Sequence, residues 1–208
     1  KRFSTMGFNP YFHSASFINE ELSENEVVKA IHTQVEFVYF YGAGASSESL
    51  KDIVKDGLQQ VLPNALVNVD HDLVASAYST YTGEPAITCI IGTGSNSCYF
   101  DGETVSEEVP ALAYILGDEG SASFIGKRLV SDFLYKKLPA EMAEDFFNTY
   151  QLDKDEIITS VYNKPNANVY LASFSRFAGK HMEQPYVKQI VREGFAKFAD
   201  IHIACFDN

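Results

Sequence analysis

Val35-Glu36-Phe37-Val38-Tyr39-Phe40-Tyr41-Gly42-Ala43-Gly44 is a nearly unbroken apolar and aromatic run that stops at glycine. A strand with one wet face carries a polar side chain at every second position, so a run without that alternation predicts a central strand covered on both faces. Working outward, Ser46 to Leu62 sets Leu50, Ile53, Val54, Leu58 and Val61 at helical spacing, with serines as caps and Pro63-Asn64 as the stop. Ala65 to Val69 predicts a second strand leading into Asp70-His71-Asp72, and Leu73 to Tyr81 a helix that Thr82-Gly83-Glu84-Pro85 ends. Strand, helix, strand, helix is the alternation of an α/β fold. Upstream, Lys1 to Gly7 also reads as strand-like.

After Pro85 the pattern restarts, which predicts a second domain. Ala86 to Ile91 is a strand running into Gly92-Thr93-Gly94-Ser95-Asn96, and Ser97 to Phe100, Asp101-Gly102 and Glu103 to Val105 form a hairpin signal. Asp-Gly supplies the positive φ angles of a two-residue primed turn, so the meander from Ile87 to Val105 is expected to be antiparallel. Gly117-Asp118-Glu119-Gly120-Ser121 precedes a long amphipathic helix carrying Phe124, Ile125, Leu129, Phe133 and Leu134. From Ala140 to Asn208 the pattern is mostly helical, and the last residues, Ile201 to Asn208, lie inside an apparent amphipathic helix. A start without an initiator Met and a stop within a helix predict further residues on both sides.

The chain has 208 residues, of which 46% are hydrophobic, enough to bury a substantial core. Its formal charge of -12 opposes the phosphate neutralisation that nucleic-acid and anionic-membrane binders depend on, so neither partner is expected. Cys89, Cys98 and Cys205 are widely spaced in apolar surroundings, which predicts neither a disulfide framework nor a cysteine zinc site. No apolar run approaches the roughly 18 to 20 residues of a membrane helix, and the start lacks the apolar core of a signal peptide. A reducing cytoplasm is the expected location. The sixteen Phe and twelve Tyr are expected in the core.

Three places could carry chemistry. At Gly92-Thr93-Gly94-Ser95-Asn96 a strand turns sharply back, and glycines there let amides and hydroxyls face an anion. The loop lacks the Lys-Ser/Thr of a Walker motif and no helix follows it, so a phosphate loop and a plain glycine-rich corner stand as equal readings. Asp72 opens a helix just past a strand end, where a carboxylate can serve as general base or simply cap the helix, and Asp70 is its rival. Asp118 and Glu119 stand at another helix start, stabilised by its dipole whatever their role. His13, His32, His71, His181 and His202 have no ligand-type spacing, so no transition-metal site is expected. There is no Gly-x-Ser-x-Gly elbow for acyl transfer.

Taken in order, Asp72-Leu73-Val74-Ala75-Ser76-Ala77, Gly92-Thr93-Gly94-Ser95-Asn96-Ser97 and Leu116-Gly117-Asp118-Glu119-Gly120-Ser121-Ala122 closely resemble the N-acetylglucosamine kinase-like group of the actin and hexokinase superfamily. The match runs from about Asn9 to Phe133. It implies an α/β fold of two ribonuclease-H-like domains with mixed sheets flanked by helices, 1–83 and 84–208, each incomplete at its outer end, and a ligand cleft between them. It also implies ATP with Mg²⁺ as cofactors and a small sugar, such as N-acetylglucosamine, as substrate, and it leaves a homodimer open. By motif match Asp72 takes the catalytic carboxylate's place. Gly92, Thr93 and Gly94 would meet the phosphates. Asn9, Ser95, Asn96, Asp118 and Ala122 would line the sugar.

Departures accompany the match. The family's first phosphate loop, an Asp-Gly-Gly-Gly-Thr type turn, is absent, as is its later glycine-containing adenosine motif, so these 208 residues alone are expected to be a poor kinase. Ala111-Leu112-Ala113 stands where relatives carry glycines near the sugar. Two other functions compete. One is an ATPase activator that drives a dehydratase or reductase through an iron-sulfur cluster, which needs closely presented thiolates. The other is a sugar sensor without transfer.

Overall fold

The computed structural model describes Arg2 to Phe206, so Lys1 and the pair Asp207-Asn208 lie outside the described residues. The described residues divide into two compact units, one ending at Tyr81 and the other beginning at Thr82. Among them no helix is long and apolar enough to cross a membrane.

The first unit contains α1 (Ala15–Ser23), α2 (Glu26–Ile31), β1 (Phe37–Gly42), α3 (Glu48–Val61), β2 (Leu66–His71) and α4 (Asp72–Thr80). Side-chain caps open its first two helices: Ser14 accepts from the Phe17 amide, and Asn25 from those of Val27 and Val28. β1 and β2 run parallel, Phe37 opposite Leu66 and Gly42 opposite His71, so both strands end at the same edge. Ile18 and Leu22 of α1, Val54, Leu58 and Val61 of α3 and Val67 of β2 form the core. Gly57 makes the α1–α3 approach possible, because a Cβ there would stand 2.8 Å from both the Ala15 carbonyl and Ile18 Cβ.

Two expectations fail in this unit. β1 is not covered on both faces: Val38 and Phe40 pack on the core, whereas Phe37 and Tyr39 are 58% and 65% exposed. The reason is that the apolar core gathers on one face of a two-stranded sheet, so the aromatic rings on the other face stay open. Arg2 to Gly7 form no strand and are exposed, since among the described residues no neighbouring strand takes up their backbone groups; Lys1, where the expected strand starts, lies outside the described residues.

The second unit opens with an antiparallel sheet ordered β3 (Ala86–Ile91), β4 (Ser95–Phe100), β5 (Val105–Ser106). The meander is as expected, but its second turn is longer than a two-residue one. Asp101 to Thr104 connect the strands, Gly102 supplies the positive φ (105°), and the Asp101 carboxylate accepts from the Glu103 and Thr104 amides. Asp101 thus works through its side chain rather than through a left-handed backbone. The short helix α5 (Ala113–Leu116) leads to α6 (Ala122–Leu134), which is capped by the Ser121 hydroxyl.

Helices α7 (Ala140–Tyr150), α8 (Lys154–Tyr162), α9 (Ala167–Ser173), α10 (Ser175–Lys180) and α11 (Pro185–His202) follow. α11 ends at His202 and a 3-10 turn, Ala204–Phe206, replaces the helix expected to continue; the last two residues of that stretch lie outside the described ones. Phe146, Phe174 and Phe177 are fully buried, with Phe146 stacked on Phe174 and edge-on to Phe177, so these aromatics serve the core, whereas others expected there, such as Tyr11, Phe12, Tyr135 and Tyr162, are exposed. At the α6–α9 crossing Gly126 lies directly against the Leu171 carbonyl. Asp132 on α6 accepts from Arg128 Nε at 2.6 Å and from the Tyr186 hydroxyl at 2.7 Å, which ties α6 to α11.

Candidate functional site

In the first unit the predicted residues gather at the carboxyl ends of β1 and β2. β2 ends at His71 and α4 begins at Asp72, the first helical residue rather than the cap. The cap position belongs to His71, and no side-chain capping bond forms there. The Asp72 side chain is 36% exposed, and His71 Nδ1 stands 3.3 Å from Asp72 Oδ1 without hydrogen-bond alignment. Asp70, its rival, is committed elsewhere: its Oδ1 accepts from Lys51 Nζ and from the His71 amide, each at 3.0 Å. The Lys51 ammonium is correspondingly held above its usual range, chiefly by the bond to Asp70. The two carboxylates that the sequence left as alternatives therefore differ. One is bound to a cation and the other stands open.

Asn9 reaches the same edge. Its amide oxygen accepts from the Tyr11 amide at 3.0 Å, and its side chain lies where a Cβ on Gly44 would be, 2.3 Å from Oδ1. Gly44 adopts φ +85°, so both the space and the backbone there exclude a larger residue. His13 Nδ1 accepts from the Asn9 amide at 3.1 Å and fixes the start of this turn.

In the second unit Gly92 to Asn96 forms the tight corner between β3 and β4, closed by a bond from the Gly92 amide to the Gly94 carbonyl at 2.8 Å. The first two amides of α6 reach back to this corner: Ala122 donates to Gly92 O at 2.9 Å and Ser123 to Thr93 O at 3.1 Å. In a trans peptide the N–H points opposite to the carbonyl that precedes it. The Thr93 and Gly94 N–H groups are therefore turned away from α6, on a loop whose Gly92 and Thr93 are exposed. Two such donors backed by a helix N-terminus suit an anion. No helix follows this loop, as expected, since β4 does; the helix that stands behind it, α6, is supplied from 30 residues further on.

Beside the loop, Asp118 takes the left-handed conformation, φ 61°, and its Oδ1 accepts from the Ser95 amide at 3.2 Å. A Cβ on Gly94 would stand 2.7 Å from that oxygen, so Gly94 is glycine for the sake of Asp118. Burial pushes the Asp118 carboxyl up, against the pull of the Ser95 amide. The Ser95 hydroxyl donates to the Glu119 carbonyl at 2.8 Å, and the Asn96 amide nitrogen donates to Glu107 at 3.1 Å. Sequence reasoning missed Glu107 and His202, whose Nε2 lies 3.5 Å from the Glu119 carboxylate. Nothing local marks either one, since Glu107 lies in a loop and His202 is one more position on a helix.

Burial pushes the Cys98 thiol up to about 11, and it raises the Cys89 thiol as well. Among the described residues no group of three or more His, Cys, Asp or Glu is placed to hold a metal ion.

No family model matches the chain, and no curated protein matches it either. Solved structures do. The crystal structure of the "putative N-acetylglucosamine kinase" of Porphyromonas gingivalis matches with a TM-score of 0.91 and 34% identity, over 99% of this chain and 74% of that one. That of the "putative N-acetylglucosamine kinase" of Chromobacterium violaceum matches with a TM-score of 0.61 and 13% identity, over 82% of this chain and 60% of that one, a likeness of fold alone. The first match spans both units and so takes in Asn9, Asp72, the Gly92–Asn96 corner and Asp118. With a solved relative 34% identical along 99% of its length, the chain belongs to the N-acetylglucosamine kinase-like family of the actin and hexokinase superfamily.

Proposed function

We propose that this protein transfers the γ-phosphoryl group of ATP to a sugar hydroxyl, with an amino sugar such as N-acetylglucosamine as acceptor and Asp72 as general base. In this reading the two units are ribonuclease-H-like domains, the first supplying Asp72 and the second the Gly92–Asn96 loop, in the cytoplasm where ATP is supplied. The observation that carries it is the contrast at the end of β2: Asp70 is bound by Lys51, whereas Asp72 does not cap α4 and, among the described residues, pairs with no lysine or arginine.

An open carboxylate can take the proton from a hydroxyl as that oxygen forms its bond to the γ-phosphorus and the bond to the bridging oxygen of ADP breaks. Such a reaction asks mainly for positioning and charge stabilisation. The outward Thr93 and Gly94 amides fit phosphate oxygens, and the space over Gly92 is open, a Cβ there meeting nothing within 4 Å. Mg²⁺ would arrive with the nucleotide and neutralise phosphate charge. Asp118, Asn96 and Asn9 bring carboxylate and amide groups suited to sugar hydroxyls, and Ser95 and Ala122 hold the Gly117–Ser121 turn and the loop in register. An iron-sulfur activator needs closely presented thiolates, and the Cys98 thiol is buried on β4 rather than presented, which favours the kinase.

ADP release by the full-length protein with Mg·ATP, measured against N-acetylglucosamine, glucosamine, N-acetylmuramic acid and glucose, tests the proposal. One sugar is expected to stimulate turnover strongly, and Asp72→Asn is expected to lower kcat by about a hundredfold or more. Full turnover in Asp72→Asn, or no stimulation by any sugar, would overturn it.

A further inference from the structure

His202 closes α11 and has none of the roles above, yet its side chain is only 4% exposed. Its carbonyl accepts the Ser97 hydroxyl at 2.6 Å, and its ring stacks on Phe198 at 4.9 Å. Nε2 faces the Glu119 carboxylate at 3.5 Å, itself 15% exposed, while Nδ1 is buried with no hydrogen-bond partner among the described residues. A ring held with one nitrogen unsatisfied is a costly way to fill space, since a phenyl group would pack there without that loss. What an imidazole adds over a phenyl is the contact with Glu119.

Glu119 lies in a turn that needs holding. The left-handed backbone of its neighbour Asp118 is uphill for a residue with a Cβ and persists only where the surroundings fix it. On one side the turn is fixed by Ser95, whose amide and hydroxyl donate to Asp118 Oδ1 and to Glu119 O. On the other side stands His202. We propose that His202 is a positioning residue for the sugar acceptor: it holds the Glu119 carboxylate and, through the main chain of that residue, sets Asp118 and Ser95 at the loop. This rests on the reading of Asp118 as part of the acceptor site. α11 thereby contributes to a site formed by residues about 80 to 110 positions earlier in the chain.

The test uses three variants of the full-length protein. His202→Phe keeps the stack on Phe198 and removes both nitrogens, His202→Gln keeps a donor near the place of Nε2, and Glu119→Gln keeps the partner's shape without its charge. His202→Phe is expected to raise the sugar KM about tenfold while kcat stays within about twofold, because only uniform acceptor binding is lost. His202→Gln should recover most of the affinity. Glu119→Gln should cost little more when added to His202→Phe, since the two act through one contact. Amide hydrogen exchange at residues 117–121 should quicken in His202→Phe while residues 140–180 keep their protection. Should His202→Phe fail to fold, His202→Gln and Glu119→Gln carry the same comparison. An unchanged sugar KM and unchanged exchange at 117–121, or full additivity with Glu119→Gln, would overturn the proposal. A wild-type protein that phosphorylates no sugar defeats the kinase reading alone, and the exchange at 117–121 then decides the role of His202 by itself.

Discussion

Asp118 occupies a position that is costly for a charged carboxylate. Burial foremost, with the Glu119 charge adding, pushes its carboxyl above the ordinary value; the Ser95 amide, Lys127 and His202 pull the other way without prevailing. The folded protein therefore binds a proton at Asp118 more tightly than the unfolded chain does. Stability contributed by that proton is present at low pH and lost as pH rises from the ordinary carboxyl range through the raised folded value. Asn cannot titrate. Asp118→Asn is expected to gain stability over the parent as pH rises from about 3.5 to about 7.5 while losing sugar affinity, and urea melts at the two ends of that range check it. A stability difference that does not change with pH would refute the assignment. Gly94→Ala probes the same oxygen from the other side: its Cβ would stand 2.7 Å from Asp118 Oδ1, so the variant should lose about 1 to 3 kcal/mol and weaken sugar binding.

At the scale of elements, glycines decide how closely helices pack. Gly126 of α6 lies against the Leu171 carbonyl of α9, and a backbone oxygen cannot swing aside as a side chain end can. Gly126→Ala should cost about 1 to 3 kcal/mol in urea unfolding despite the better helix propensity of Ala; a neutral or stabilised variant would mean the crossing is looser than it looks. α3, α4 and α6 were legible in the sequence because an amphipathic helix declares its period within a dozen residues. β1 misled for a related reason. Its run of Phe, Val and Tyr describes what its side chains prefer, whereas coverage depends on what packs against each face, and in this unit the core gathers on one. The Asp101–Thr104 turn misled because Asp-Gly marks the sharp bend but not whether Asp bends by its backbone or by its carboxylate.

For the molecule as a whole, the same divide separates the site residues that were readable from those that were not. The Gly92–Asn96 corner and Asp72 at a strand end show themselves within a few neighbours. The commitment of Asp70 to Lys51, the bond from Ser95 to Asp118 and the reach of His202 to Glu119 join residues far apart in sequence, and only the fold brings them together. That difference bears on how the competing functions are separated. A kinase and a sensor that lost transfer both bind sugar, and a ligand that binds only the folded state stabilises it by about 2.7 kcal/mol at a hundred times its dissociation constant. Asp72 is proposed to take the proton of the acceptor hydroxyl, whereas Asp118 is proposed to hold the sugar. Saturating sugar should therefore raise the melting temperature of the parent and of Asp72→Asn by similar amounts, and that of Asp118→Asn by much less. Loss of the shift in Asp72→Asn would make Asp72 a binding residue rather than a base. A full shift in all three, with no ADP released by the parent, would place the protein among sensors.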